Sequence, residues 1–305
     1  MKKLKKYLPL IVYPAIVCLL TLLNTQVIAQ DVTTDSTKPA PVAKKKVAKN
    51  TFESNWIQDN QSVMVPIKGT LEMDIQHRFG VVQKGIKDLF GLYAPSNIRI
   101  GLSYVVIDKL QVGFGFTKDR QQWDLNGKYA IVKQNKTGGW PVSISWFSNV
   151  VLDARSKENF VTNGDRFSYF HQLLIARKLT DKLSVQVAPS LSHYNNIDGY
   201  VDANGKIQPK MKNDHLAIAF MGRYKLTTKT NFMVNYDQPL TQHTVNNPHP
   251  NISFGMELIT SSHAFQVFFG NYHNIVPQSN NYFNQNDFTK GQFLLGFNIT
   301  RLWNF

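Results

Sequence analysis

From about residue 67 to the end of the chain, apolar and polar side chains alternate with a period of two. Leu183, Val185, Val187 and Leu191 interleave with Ser184, Gln186, Ser190 and Ser192. Phe232, Val234 and Tyr236 interleave with Asn231, Met233, Asn235 and Asp237. Side chains of an extended strand point alternately to the two faces of a sheet, so this pattern builds strands with one apolar and one polar face. After residue 95 no segment keeps a helical period; only Ile86 to Leu92 reads as a helical turn. The fold class is all-β.

Twelve such runs are expected, at about 67–80, 96–107, 110–118, 121–135, 140–153, 165–179, 182–195, 213–226, 229–238, 250–260, 263–271 and 290–303. The connections alternate in length. Asp108-Lys109, Lys136 to Gly139, Thr180-Asp181, Thr227-Thr228 and Ser261-Ser262 are tight, whereas 81–95, 154–164, 196–212, 239–249 and 272–289 are long. The link near Asp119-Arg120 is the short exception. Short turns at one end and long loops at the other describe a transmembrane antiparallel up-and-down β-barrel, with periplasmic turns and extracellular loops. An even strand count places both chain ends on the short-turn side.

A soluble β-sandwich also alternates. Three features oppose it. The runs are about 10–14 residues, longer than usual strands. Aromatic residues (Phe79, Tyr104, Trp123, Phe167, Tyr169, Tyr224, Tyr236 and Trp303) gather toward strand ends, where membrane interface girdles lie. The chain also stops on a strand, with Phe297, Trp303 and Phe305 on one parity. A terminal aromatic strand looks like the signal read by the outer-membrane barrel insertion machinery, so Trp303 and Phe305 are the candidate insertion signal. Pro189 donates nothing to a ladder and is expected to sit at a bulge.

The N-terminus reads as an address. Lys2, Lys3, Lys5 and Lys6 precede an apolar run from Leu8 to Leu23, and Val27-Ile28-Ala29 ends the stretch. That is a signal peptide, residues 1–29, with cleavage expected after Ala29. The only cysteine, Cys18, lies inside it and is followed by Leu19-Leu20 rather than by polar chain, which argues against lipidation. Residues 30–50 are rich in Lys, Ala, Pro and Thr and are expected to be a disordered periplasmic linker. Residues 51–66 add Phe52, Trp56, Ile57 and Met64, enough to dock on the barrel at a place the sequence leaves open. Residues 67–305 form the barrel.

Composition removes other classes. Mean hydropathy of -0.26 excludes a polytopic helical membrane protein. Net charge is +14, of which the signal peptide holds four lysines. The bases do not cluster with aromatics, so outer-membrane lipid is the expected partner and nucleic acid is not.

The segments DIQHRFG at 74–80, LFGLYAPSNIRIGLSYVVIDKLQVGFG at 89–115 and GKYAIVKQ at 127–134 resemble Bacteroidota-type outer-membrane β-barrels. The closing LGFNITRLWNF is similar too, and the likeness covers about residues 52–305. That family is catalogued only as a domain of unknown function. The resemblance therefore implies a fold and a bacterial outer-membrane location, and implies no activity.

The parity opposite the apolar face carries Glu72, Asp74, Arg78, Arg99, Asp124, Lys128, Arg223 and Glu257. A charge on the lipid face costs about 2–4 kcal/mol near the midplane, so these residues are expected to line the lumen. They support two functions: a passive or selective channel for small solutes, or a plugged barrel serving as a structural or partner-docking component of an envelope complex. Twelve strands fall between filled eight-stranded barrels and open porins. Some twelve-stranded barrels are phospholipases with a Ser nucleophile and a His base. Ser192-His193 and His243-Thr244 are the nearest pairs, and neither sits in that family's motif, so the chain reads as non-enzymatic. His243, His249 and His273 fit no compact ligand spacing, and Gly113 and Gly115 lack a following helix; no metal or cofactor is expected. The two glycines read instead as places for curvature or close side-chain packing.

Overall fold

A computed structural model of the chain describes residues 47, 48, 50–136 and 138–305. The expected signal peptide and most of the 30–50 linker fall outside the described residues.

A small hairpin comes first, β1 (Trp56–Ile57) and β2 (Asn60–Gln61). The barrel opens with β3 (Thr70–Val81), β4 (Asn97–Ile107), β5 (Leu110–Thr117) and β6 (Gln122–Val132). It continues with β7 (Ser143–Asp153), β8 (Phe167–Lys178) and β9 (Leu183–Tyr194). A second hairpin, β10 (Gly199–Val201) and β11 (Ile207–Pro209), stands in the next loop. The barrel ends with β12 (Asp214–Lys225), β13 (Thr230–Pro239), β14 (Asn251–Ile259), β15 (His263–Gly270) and β16 (Leu294–Asn304). Each barrel strand pairs antiparallel with its neighbour, and β16 returns to β3 with Phe297 opposite His77 and Trp303 opposite Leu71. The sheet is thus closed, and no backbone edge is left for hydrocarbon to meet.

All twelve expected strands are present, at 8–12 residues each. The first begins at Thr70 rather than 67, because Gly69 turns the chain with φ of +85°. The last begins at Leu294 rather than 290: residues 288–290 form a 3-10 turn and Gly291 reverses the chain at φ of +71°. Pro189 is not a bulge. The β8–β9 register is the same on both sides of it, Gln172 with Ser190 and Ile175 with Val187. On the β12 side Pro189 pairs directly with Ile218. Its ring faces outward, so the strand passes through without an extra residue. The register shifts lie elsewhere, between Val105 and Ile107, between Ala130 and Val132, and between Leu294 and Gly296.

The two faces differ sharply. Phe114, Leu125, Val234, Phe254 and Val267 point outward and are 40–66% exposed. An apolar band this continuous is unstable against water and is accommodated by hydrocarbon. The inward parity buries Ser, Asn, Gln and charged side chains. Short turns, including 108–109, 179–182 and 260–262, lie at one end, and the long loops lie at the other. The loop between β15 and β16 carries a helix, α1 (Pro277–Phe283), which starts on proline at its first turn. No helix among the described residues is long and apolar enough to cross a membrane.

Candidate functional site

The lumen is occupied by the chain itself. Residues 51–63 are almost entirely buried, although they lie outside the barrel sheet. They enter from the short-turn end, where Ala48 N–H donates to the Gln134 carbonyl at 2.7 Å. The β1–β2 hairpin reverses at Gln58, whose φ is +61°.

One side of this segment is polar and meets the charged wall. Lys128 Nζ donates to Asn55 Oδ1 at 3.2 Å, Gln61 Oε1 at 2.9 Å and the Ser62 carbonyl at 3.2 Å. These bonds use all three ammonium protons. Glu72 accepts from the Asn55 amide. Ser54 Oγ donates to Glu257 at 2.5 Å, and Asn231 donates to the other oxygen of that carboxylate at 2.8 Å. Arg223 bonds Glu53 at 3.0 Å. Arg78 lies over the Phe268 ring at 4.7 Å and donates to Asn298 Oδ1 at 2.9 Å.

Arg99 clamps the Asp124 carboxylate through Nε at 2.8 Å and Nη2 at 2.9 Å, while its Nη1 reaches Asp74 at 2.7 Å. Its guanidinium also lies 5.5 Å from the Trp56 ring. All eight charged residues singled out on the inward parity therefore lie on the inner face. Six of them touch residues 50–62 directly, and Asp74 and Asp124 share the clamp of Arg99, which does. Their mixed signs cancel against one another and against the segment rather than facing an open pore.

The other side of the segment is apolar. Phe52, Ile57 and Val63 form one cluster with Phe147, Phe170, Leu174, Met221 and Met233 of the wall. The sequence carries a partial signal for this: β7 reads SISWFSNVVLD, in which Phe147 and Val151 fall on the inward parity beside Ser143, Ser145, Asn149 and Asp153. From the long-loop end α1 closes the lumen. Its Asn280 donates to Asp59 at the hairpin tip. Its Ser279 accepts from Gln122 at 3.1 Å and contacts Tyr194 Oη at 2.9 Å. Plug and loop meet inside the barrel.

This chain matches, over residues 52–303, the family described as a membrane-bound beta barrel domain, DUF5777. It belongs to that family. Among solved structures, the barrel is similar to the NanC porin at 9% identity, with a TM-score of 0.47, covering 77% of this chain and 99% of that one. It is similar to an outer-membrane channel from Pseudomonas putida F1 at 11% identity and a TM-score of 0.47, covering 79% and 97%. The KdgM porin is also similar, at 11% identity and a TM-score of 0.41, over 77% and 99%. No curated protein matches the sequence.

Other candidate side chains are separated by this membrane-bound barrel. Ser192 is buried on the inner face, whereas His193 points outward and bonds Asp214 at 2.7 Å. On the outer face Ser148 and His171 Nδ1 lie 2.9 Å apart, with Trp146 Nε1 donating to the hydroxyl at 2.8 Å. That trio satisfies polar groups where lipid offers no partner. His243 contacts His215, not His249 or His273, and no group of three or more metal-binding side chains exists among the described residues. Trp303 lies under the Arg301 guanidinium at 4.8 Å. Phe305 holds Gly69 by a backbone bond of 3.4 Å and leaves its ring 85% exposed.

Proposed function

We propose that this barrel is an outer-membrane channel for small solutes held shut by its own N-terminal segment, with residues 51–66 as the gate. The supporting observation is the hydrogen-bonded fit of that segment to a charged inner wall. A permanent core is most stable when apolar, since breaking into a buried charged network leaves polar groups unpaired. Here Lys128, Glu72, Arg223 and Glu257 line a path and are satisfied by a segment that is not a strand of the sheet and is continuous with β3 through residues 67–69. Water is a competent replacement partner for each of them, so the polar side tolerates withdrawal. Solute, lipid and insertion machinery are the partners in this reading, and it involves no catalysis.

The apolar contact of Phe52, Ile57 and Val63 favours a second reading, a barrel that stays plugged and serves as a structural or docking part of an envelope complex. Burying such side chains contributes about 1.5–3 kcal/mol each.

Planar-bilayer recording separates the two. The full chain is expected to be silent, and a chain lacking residues 31–66 to show conductance steps. An Asn60→Cys/Asn235→Cys pair, whose native side chains lie 3.1 Å apart, gives an independent control. Oxidised, it should stay shut under mild urea; reduced, it should open. A truncated barrel that is folded by heat-modifiability yet silent at every voltage would remove the channel reading, as would urea opening that ignores the oxidised pair.

A further inference from the structure

At the long-loop end a cleft of about 240 Å³ opens between loops 118–121, 154–166 and 195–213 and the end of α1. It lies outside the plug, and its floor is made by Gln122, Ser168 and Tyr194. Phe160 and Phe283 wall it, and a guanidinium covers each ring. Arg120 lies 4.2 Å from the Phe283 centroid and Arg166 lies 4.6 Å from that of Phe160.

The charges around the cleft do not balance. Asp153 is already held by Arg155, at 2.9 and 2.7 Å. Asp165 is also engaged, accepting from Thr162 N–H at 2.8 Å, Thr162 Oγ1 at 2.9 Å and Val161 N–H at 3.1 Å. Asp165 keeps its charge, so the lining sets Asp153, Asp165 and Asp198 against Arg120, Arg155, Arg166 and Lys210, an excess of one cation, and Arg120, Arg166 and Lys210 make no ion pair among the described residues. Arg166 is fixed in place, donating to the carbonyls of Asp153 at 3.0 Å and Arg155 at 2.8 Å.

The backbone is also arranged toward this end. Arg120 and Gln121 follow one another at φ of +55° and +49°, a region that non-glycine side chains rarely occupy. Two consecutive strained residues persist only where the surroundings fix them, and such strain gathers at ligand sites. Here it forms the four-residue turn that directs Arg120 across the cleft onto Phe283.

We propose that this cleft binds a small organic carboxylate, held by the Arg120 and Arg166 guanidinium groups with its body against Phe160, Phe283 and Tyr194. Guanidinium groups match a carboxylate with two parallel N–H bonds, and a partly enclosed, ring-walled site favours an organic body over a fully hydrated inorganic ion. The volume restricts the ligand to about the size of a benzoate or a single sugar ring. Binding at this cleft does not depend on whether the lumen opens.

The test is calorimetric titration of the full-length protein in detergent with acetate, benzoate and glucuronate. Benzyl alcohol, glucose and inorganic phosphate are the controls. Saturable binding of benzoate or glucuronate is expected, with little from the neutral counterparts or from phosphate. Arg120→Gln and Arg166→Gln should each weaken it about tenfold or more, the loss of a charge-assisted bond. Lys229→Gln, at the opposite end, should leave it unchanged, and heat-modifiability shows that each variant is folded. The proposal is overturned if none of the three carboxylates saturates the protein. Equal binding of the neutral compounds or of phosphate overturns it too, as does binding that survives both arginine changes.

Discussion

Asn280 Nδ2 donates to Asp59 Oδ2 at 2.5 Å, so the tip of the hairpin that rises from the short-turn end is bonded to the helix that descends from the long loops. The two residues are 221 positions apart in sequence. Asp59 is shared with Asn235, which donates to its other oxygen at 2.8 Å. The bond makes the inner closure a single polar unit rather than two separate obstructions.

Asn280→Ala should loosen that unit without opening the sheet. A hydrogen bond to a buried carboxylate contributes about 1.5–3 kcal/mol. Amide hydrogen exchange over residues 56–61 is expected to speed up by the corresponding factor, while exchange in β3 and β16 stays slow. Unchanged exchange at 56–61 would mean that the wall alone holds the hairpin.

Gly115 explains part of the GFGF stretch. A Cβ there would lie 2.6 Å from Arg99 Cζ and 2.7 Å from Asp124 Oδ2, so the glycine leaves room for the clamp between β4 and β6. Gly115→Ala should push the guanidinium off its carboxylates and destabilise the barrel by about 1–3 kcal/mol through overpacking. Gly127→Ala is the control, since its nearest neighbour would be a carbonyl at 3.8 Å. The temperature at which the folded gel band converts to the unfolded one should fall for the first and hold for the second.

The strands were legible because period-two alternation is local: each side chain's face follows from its neighbours two positions away. That residues 51–66 dock was an expectation from their apolar side chains, but their place in the lumen was not legible, because their partners are remote. Ser54 meets Glu257 and Gln58 meets Gln266, about two hundred residues on, and a segment with four large apolar side chains has no period to read. The inner face was half legible. Arg99, Asp74 and Asp124 follow from parity, whereas Phe147, Phe170 and Met233 share that same parity and pack on the plug. Two loop elements do carry local signals: Asn204-Gly205 turns the β10–β11 hairpin, and Pro277 starts α1.

His243 makes one loop attachment acid-sensitive. Its Nδ1 accepts from Lys212 N–H at 2.9 Å, which places its proton on Nε2, 2.8 Å from His215 Nδ1. Burial, then the Lys212 charge, holds its pKa below the ordinary 6.5. The folded loop therefore binds fewer protons than the unfolded one, and its stability is present above about pH 6.5 and lost as pH falls below it. Proteolysis of loop 240–250 should be slow near about pH 8 and faster near about pH 5. His243→Gln should flatten that dependence, and equal cleavage at both pH values in the native protein would count against the assignment.

The end of the chain carries the last expectation. β16 must find β3 to close the barrel, so Trp303 opposite Leu71 joins residues more than two hundred positions apart. Pairing at such separation is slow and leaves strand edges unpaired while the sheet inserts. Phe305 contributes little to the finished fold: its ring is 85% exposed and its backbone makes one long bond to Gly69. A residue that adds so little to the folded state and ends the closing strand on an aromatic side chain is suited to being gripped by the insertion machinery during assembly. Deleting Phe305 should thus lower the yield of membrane-inserted, heat-modifiable protein several-fold, with export of the chain unchanged. The melting behaviour of the fraction that does insert should match that of the full chain, separating an assembly defect from a stability defect. Normal yield after the deletion would rule out Phe305 as an insertion signal and shift that role to Trp303.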